Sequence, residues 1–429
     1  MSAAMDLRTD SIDPMPDFEI APSLHRDCDR PLDPSLGFRD SEVVEGMLGL
    51  PPVPCDPTRQ MRATSVANLM VASHVSGEKW IFYSRDRNHY SSTVVRRYAP
   101  PWYTHRNVLN AVASLEAAGI IAHDRTAPSP FAKFRSRLRA TTDFALRLRQ
   151  LGAGHLKRTP RELLILRNDR KSRVDYDETR HIARMRNDVR AHNAFLANHV
   201  IGLEHADSQL SPQGWLIVED WAINPAIHYY YRVFNGDFEH GGRWYGHWVQ
   251  AIPRRYRPAL TIGGAATVEL DFRTCHPRLL CALAGLALPF ADPQFDFYAA
   301  PSPDRASVKL AVNVMLNAPT SRVARLALAS ELRDRSDIDP SAHARELMDA
   351  IAGQWPQLAH FWSSGIGLRL QNIDAEICAR VQRALRRADI PCLSIHDSFI
   401  VRSRNQSVLA DAMEEEMVRA CAYLSRFSL

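Results

Sequence analysis

Two short apolar, β-prone runs each deliver an aspartate. Val268 to Phe272 carries Asp271 near its end, and Arg273-Thr274-Cys275-His276-Pro277-Arg278 then turns into a helix expected to begin near Pro277. Cys392 to Val401 carries Asp397 in its middle, where the tip of a hairpin would lie. Carboxylates on rigid neighbouring strands can clamp two divalent cations, and two cations bracketing a phosphate drive in-line phosphoryl transfer. Between the two runs, Arg305, Lys309, Asn313 and Asn317 recur every four residues. They therefore share one face of a helix, drifting by about 40° per step. Val308, Leu310, Val312, Val314 and Leu316 are expected to pack inward from the other side.

A chain of 429 residues can bury two or three domains, and 45% apolar with 24% charged residues is ordinary for a globular protein. Mixed helix and strand patterns predict an α+β fold. No run approaches a membrane span, and the first residues are polar and acidic where a signal peptide needs an apolar stretch. The seven cysteines are dispersed with no CxxC pair, which argues against a zinc site or a disulfide framework. A cytoplasmic location, without a membrane partner, is the expectation.

Charge is unevenly placed. Residues 1–60 hold twelve Asp/Glu, five Lys/Arg and nine prolines, which predicts an acidic, largely disordered leader. Residues 85–140 hold ten Lys/Arg against three Asp/Glu, a pattern that serves either a nucleic-acid contact or a solvated face. Within this segment Thr104 can cap a helix whose face is Val108, Leu109, Val112 and Leu115, with Gly119 as its stop. Ile120 to His123 and the returning Phe134 to Ala140 follow as a hairpin with a basic arm. Helix and hairpin over residues 61–150 resemble a winged helix-turn-helix domain. That resemblance implies DNA as a partner, with His105, Arg106 and Asn110 in a groove and Arg135, Arg137 and Arg139 along phosphates. Residues 151–225 are expected to form a helical, thumb-like linker, including one long helix from about Asp177 to Val200. In the C-terminal region, Glu414-Glu415-Glu416 is expected to face solvent.

Residues 226–429 carry a second resemblance. Gly242-Arg243, Gln250-Ala251-Ile252-Pro253, Asp271, Arg305 with Lys309, Gln371 and His396-Asp397 stand in the order seen in the polymerase region of family A DNA polymerases. That group is related to the phage-type single-subunit RNA polymerases. The likeness implies a reduced right-hand fold of palm, small fingers and thumb-like helices. It further implies a template-directed nucleotidyltransferase acting on DNA and nucleoside triphosphates, with two Mg2+ ions, or Mn2+ as an alternative, on Asp271, Asp397 and the Phe272 carbonyl. Arg305 and Lys309 would hold the triphosphate, with Asn313, Asn317 and His276 at its base and sugar. Arg243, Gln250, Gln371 and His396 would hold primer and template. His276 stands where the family has glutamate, Asn313 and Asn317 where it has aromatic residues, and Ser398 where the DNA polymerases have a third acid. The bulk of His276 predicts preferential use of dNTPs, whereas a hydrogen bond from its ring to a 2′ hydroxyl would reverse that. Two alternatives remain open: an RNA polymerase or primase-like enzyme, and a DNA-binding replication initiator whose polymerase-like domain is not catalytic.

Overall fold

In the computed structural model, the described residues are 30–53, 56–74, 80–125, 136–211, 216–218, 221–225, 227–292, 294–299, 301–302, 304–333 and 339–427. The chain divides into two compact units, Met1–Arg232 with Tyr245–Ala266, and Val233–Trp244 with Thr267–Leu429. Both helices and strands build each unit, so the chain is α+β as expected. Residues 245–266 return to the first unit and take Gln250 with them, which a boundary at 225/226 did not foresee.

The first unit begins with β1 (Arg30–Pro31), β2 (Leu36–Phe38) and α1 (Ser41–Met47). Leu32, Phe38, Val44 and Leu48 are buried in its core. Residues 30–53 of the expected leader carry β1, β2 and α1, because their apolar residues reach that core; residues 1–29, 54 and 55 lie outside those described. Next come α2 (Asp56–His74), β3 (Ile81–Tyr83), α3 (Arg87–Ser91), α4 (Thr93–Tyr98) and α5 (His105–Ala117). Helix α5 forms where the pattern places it. Thr104 Oγ1 accepts from the Asn107 amide at 3.3 Å, Val108, Ala111, Val112 and Leu115 are buried, and Gly119 at φ 67° follows its end.

Strands β4 (Ile121–Asp124) and β5 (Ser136–Ala140) pair antiparallel, and the sheet order is β1-β3-β5-β4. The strand expected as the basic arm of a hairpin is thus central in its sheet. Ser136 and Leu138 are buried, while Arg137 and Arg139 share the other face, 4.6 and 4.9 Å from the Trp80 ring. Arg137 Nε also donates to Asp124 Oδ2 at 2.9 Å. Arg135 lies outside the described residues.

The stretch expected to be a helical linker is mostly short strands. After α6 (Thr142–Gln150) come β6 (Leu156–Arg158), β7 (Leu164–Arg167) and α7 (Arg180–Leu196), then β8 (Ile201–Leu203), β9 (Ser208–Leu210), β10 (Leu216–Val218) and β11 (Trp221–Ile223). Helix α7 starts after Asp177 because Thr179 caps it by accepting from the Ile182 amide at 3.2 Å, and it ends at Leu196, short of the expected Val200.

The second unit holds most of a hairpin, β12 (Tyr231–Asn235) and β13 (Gly241–Tyr245). After β14 (Leu260–Ile262) in the first unit, β15 (Ala265–Asp271) leads into α8 (Cys275–Leu283). Helices α9 (Arg305–Asn317), α10 (Ser321–Leu332), α11 (Pro340–Gln354) and α12 (Gly367–Arg387) follow. Strands β16 (Leu393–Ile395) and β17 (Ser398–Arg402) and helix α13 (Gln406–Leu424) complete the unit. Helix α8 starts two residues before Pro277, which the first turn tolerates because its N–H would have no helical partner there.

Strand β17 lies between β16 and β15, with the register running from Thr267↔Arg402 to Asp271↔Ser398. Helix α12 buries Leu370, Ala375, Ile377, Cys378, Val381 and Leu385 on one side, and Gln382 Nε2 donates to Ser394 Oγ of β16 at 2.8 Å. Of the acidic cluster, Glu414 and Glu415 are exposed, but Glu416 is buried and pairs with Arg380 and Arg419 at 3.6 and 2.6 Å. Phe399 is fully buried, its ring edge-on to Phe272 at 6.0 Å. Phe399→Ala is predicted to lower the unfolding free energy by about 3–5 kcal/mol. A denaturant midpoint corresponding to a loss below about 1 kcal/mol would show that this sheet is not part of the cooperative core.

Candidate active site

Asp271 ends β15, and His396-Asp397 is the two-residue loop joining β16 to β17, closed by the Ile395↔Ser398 pair. His396, at the first loop position, has φ 58°, the sense a tight hairpin loop demands. Because Ser398 is the partner of Asp271, Asp397 lies one residue beyond that pairing. Both aspartates line a single cavity of about 570 Å³. The same cavity is lined by Phe272 and His276 after β15, by Arg305, Lys309, Asn313 and Asn317 along α9, and by Arg243 and Gln371. Every lining residue belongs to the second unit. Gln250 is not among them. Its Oε1 accepts from the Gly246 amide at 2.9 Å in the first unit. His396 does not line the cavity either, although its neighbour Asp397 does.

The α9 face follows from ordinary helix geometry. Asp304 caps the helix by accepting from the amides of Ala306 and Ser307 at 3.1 and 3.2 Å. Ser307, Val308, Ala311, Val312, Met315 and Leu316 are buried, so the inward stripe follows the 3.6-residue period. Leu310 and Val314, expected inside, are only half-buried because they sit between the two faces. Arg305 and Lys309 differ in their surroundings. Arg305 Nε donates to Asp296, and its guanidinium lies 5.4 Å from the Tyr298 ring. That hydrogen bond holds the Asp296 carboxyl below its ordinary range against the opposing effect of burial. Lys309 is exposed and has no ion-pair partner among the described residues.

Arg243 reaches the cavity from β13. Asn372 Nδ2 donates to the Phe238 and Gly241 carbonyls at 3.1 and 3.3 Å, and Trp244 Nε1 donates to the Ala375 carbonyl at 3.4 Å, which seats the hairpin on α12. Glycine is required at position 241, where φ is 74° and a Cβ would stand 2.5 Å from Asn235 Nδ2 and 3.1 Å from the Val233 carbonyl. On this support Arg243 Nη2 donates to Asp374 Oδ2 at 2.7 Å, and His276 Nε2 is 2.9 Å from the same oxygen. Asp374, on the buried face of α12, is only 5% exposed.

Asp374 and Asp296 belong to none of the motifs that mark the other site residues in the sequence. The signal for Asp374 was a carboxylate three residues after Gln371, on the mainly apolar stripe of α12 that also buries Gln382. Phe290, Phe295 and Tyr298, between α8 and α9, also line the cavity and were missed. Phe290 and Phe295 meet edge-to-face at 5.2 Å, and Phe297 behind them stacks on Trp355 at 4.7 Å. Their spacing matches neither a helix nor a strand, so only composition marked them. Thr274, between Arg273 and α8, has φ 51° and ψ 43°. A β-branched residue held left-handed beside a cavity is a strained position of the kind that clusters at functional sites. Burial pushes the Cys275 thiol well up, and the carboxylates of Asp374, Asp397 and Asp271 add to that while Arg243 opposes it.

Among the described residues no three His, Cys, Asp or Glu side chains converge as they do in a metal cage closed by side chains alone. Two carboxylates with a backbone carbonyl nearby are nevertheless a donor set that Mg2+ accepts, since it keeps several waters and takes substrate phosphate oxygens as its other ligands. Fold and cavity together define an α+β chain with paired carboxylates facing a cationic helix edge. Compared with models of known protein families, and with curated proteins, the chain matches none. Among the described residues no helix is long and apolar enough to cross a membrane.

Proposed function

We infer that the chain is a template-directed nucleotidyltransferase, a compact DNA-dependent DNA polymerase in which a winged-helix DNA-binding domain precedes a reduced right-hand domain resembling family A. The observation that carries this reading is the convergence of Asp271, Asp397, Lys309 and Arg243 on one cavity. These residues lie far apart in sequence but follow the order of the family's motifs. Asp271, Asp397 and the Phe272 carbonyl would hold two Mg2+ ions, or Mn2+, which when bound activate an attacking 3′ oxygen and stabilise the pyrophosphate leaving group.

The chain's own side chains supply the rest. Lys309, with Arg305 beside it, neutralises the phosphates of the nucleoside triphosphate. Asn313, Asn317 and Gln371 offer neutral hydrogen bonds to base and sugar, Phe290 and Phe295 exclude water, and Arg243 holds the primer end. His276 walls the sugar, which favours dNTPs. Gln250 and His396, outside the cavity, act in this reading only on the nucleic-acid strand.

The winged-helix part is supported by the succession α2, β3, α4, α5, β4, β5 and by a sheet in which β5 lies between β3 and β4. Arg106 and Asn110 are exposed on α5. Arg137 already has Asp124 and Trp80 as partners, so Arg106→Ala is expected to weaken duplex binding more than Arg137→Ala. It should also reduce the slope of log K against log salt by about one phosphate contact. An unchanged slope in Arg106→Ala would remove α5 from the DNA interface.

Primer extension with separate dNTP and NTP pools, in Mg2+ and in Mn2+, tests the reaction. Template-dependent dNTP incorporation is the expected result. Incorporation of NTPs alone would move the chain to the RNA polymerases, a reading that Ser398 beside Asp397 favours. Incorporation of neither would leave a DNA-binding initiator with a non-catalytic domain.

A further inference from the structure

Arg243, His276 and Asp374 come from β13, α8 and α12, three elements of one unit. Two cavity-lining side chains therefore converge on one carboxylate that does not itself line the cavity. The Asp374 side chain is 3% exposed, against 21% for Arg243 and 15% for His276. Oδ2 receives Arg243 Nη2 at 2.7 Å and faces His276 Nε2 at 2.9 Å, while Arg243 Nε lies 3.2 Å from Oδ2 and 3.4 Å from Oδ1. A carboxylate opposite a guanidinium accepts hydrogen bonds and donates none. Arg243 Nη2 also lies 3.4 Å from His276 Nε2, but the acceptor-only oxygen at 2.9 Å is the closer partner, so the proton of a neutral His276 ring is on Nε2 and Nδ1 is left as a lone-pair acceptor. Nδ1 makes no hydrogen bond among the described residues.

Resting on the function inferred above, we propose that Asp374 is the positioning residue of sugar discrimination: it fixes the rotamer and tautomer of His276, and through that ring decides which nucleotide sugar the cavity admits. A ring held at one nitrogen by a buried acceptor cannot swing aside for a 2′ hydroxyl, whereas an untethered imidazole on a helix turns readily about its side-chain bonds. The same carboxylate orients Arg243, so the two basic groups keep a fixed relation to one another at the cavity wall. Asp374 touches no substrate. Its effect is transmitted by His276 and must vanish when His276 is absent.

The test uses the full chain. Wild type is expected to favour dNTP over NTP in kcat/KM by about 5- to 150-fold. Asp374→Asn should bring that ratio at least fivefold closer to one, and His276→Gly should do the same. The double variant should show no further change, as expected of two residues acting in series. Arg243→Ala, measured beside them, should raise the KM for primer-template and leave the sugar ratio in place. A wild-type ratio in Asp374→Asn, or an additive loss in the double variant, overturns the proposal.

A second measurement needs neither activity nor a variant at position 374. In the full chain with 15N-labelled histidine, at about pH 8.5 where an ordinary imidazole is neutral, the resonances lost in His276→Gln identify its ring. Nε2 should carry the proton and Nδ1 should have the shift of an unprotonated nitrogen. A ring protonated on Nδ1, or on both nitrogens, overturns the proposal. A ring with the expected tautomer in a protein that incorporates no nucleotide would overturn both the reaction and the discrimination built on it, while leaving the Asp374–His276 tether in place.

Discussion

Asp271→Ala and Asp397→Ala are each expected to lower nucleotide incorporation by on the order of a thousandfold or more, which corresponds to about 4 kcal/mol of transition-state stabilisation. The size follows from what is removed. Asp271 and Asp397 are the carboxylates that the sheet brings to the cavity; Asp296, which also lines it, is bound to Arg305, and among the described residues no group of three acidic, histidine or cysteine side chains could hold a metal in their place. Cys275 is no substitute ligand, because Mg2+ is held by oxygen donors and not by thiols. The fold should survive the change. Asp271 is exposed at the end of β15, and surface substitutions of this kind shift stability within about ±0.5 kcal/mol. Asp271→Asn, which keeps the shape and removes the charge, should fall as far. Duplex affinity should remain close to that of wild type, since the DNA contact inferred for α5 belongs to the other unit. Single-turnover incorporation, thermal unfolding and a duplex titration on the same preparation separate these expectations. Activity within tenfold of wild type in either alanine variant would sink the assigned site.

The parts legible in the sequence were those with a period or a boundary signal. Helix α5 was marked by Thr104, its apolar face and Gly119, and α9 by the four-residue recurrence that now lines the cavity. The two aspartates were legible because each follows a short apolar run. Their pairing across β15 and β17 depends on register, which no local pattern states. What failed to show in sequence is tertiary. Composition alone suggested disorder for residues 1–60, because its prolines and acids gave no sign that Leu32, Leu36, Phe38, Val44 and Leu48 anchor residues 30–53. The centrality of β5 could not be inferred from alternating arginines, since two arginines over one tryptophan produce the same alternation as a strand tracking phosphates. Asp374 was invisible as a functional residue for a related reason. Its meaning comes from Arg243 and His276, which lie 131 and 98 positions away.

The contrast between Lys309 and Arg305 gives the second large expectation. Lys309→Ala is expected to lower kcat/KM for the nucleoside triphosphate by about a hundredfold, the scale for removing one charged group that faces a developing phosphate charge. Arg305→Ala should lower it by less than about tenfold, although Arg305 lies one turn away on the same face of α9. The difference arises from Asp296. Its carboxylate sits against the Arg305 guanidinium and cancels most of the field that Arg305 would otherwise project into the cavity. The pair is too exposed to be a strong structural bond, with 54% of the arginine side chain open to solvent, so removing it should leave stability nearly unchanged. Asp296→Asn keeps the shape of the loop and frees the guanidinium. It should tighten triphosphate binding by a few-fold, with a larger gain at low salt, where charges at this distance are least screened. Equilibrium binding of a non-hydrolysable triphosphate to the three variants, repeated across ionic strength, reads the effect without requiring turnover. If Arg305→Ala proves more damaging than Lys309→Ala, or if Asp296→Asn weakens binding, then Asp296 positions Arg305 on the phosphates rather than neutralising it, and the order of the two cations along α9 is reversed.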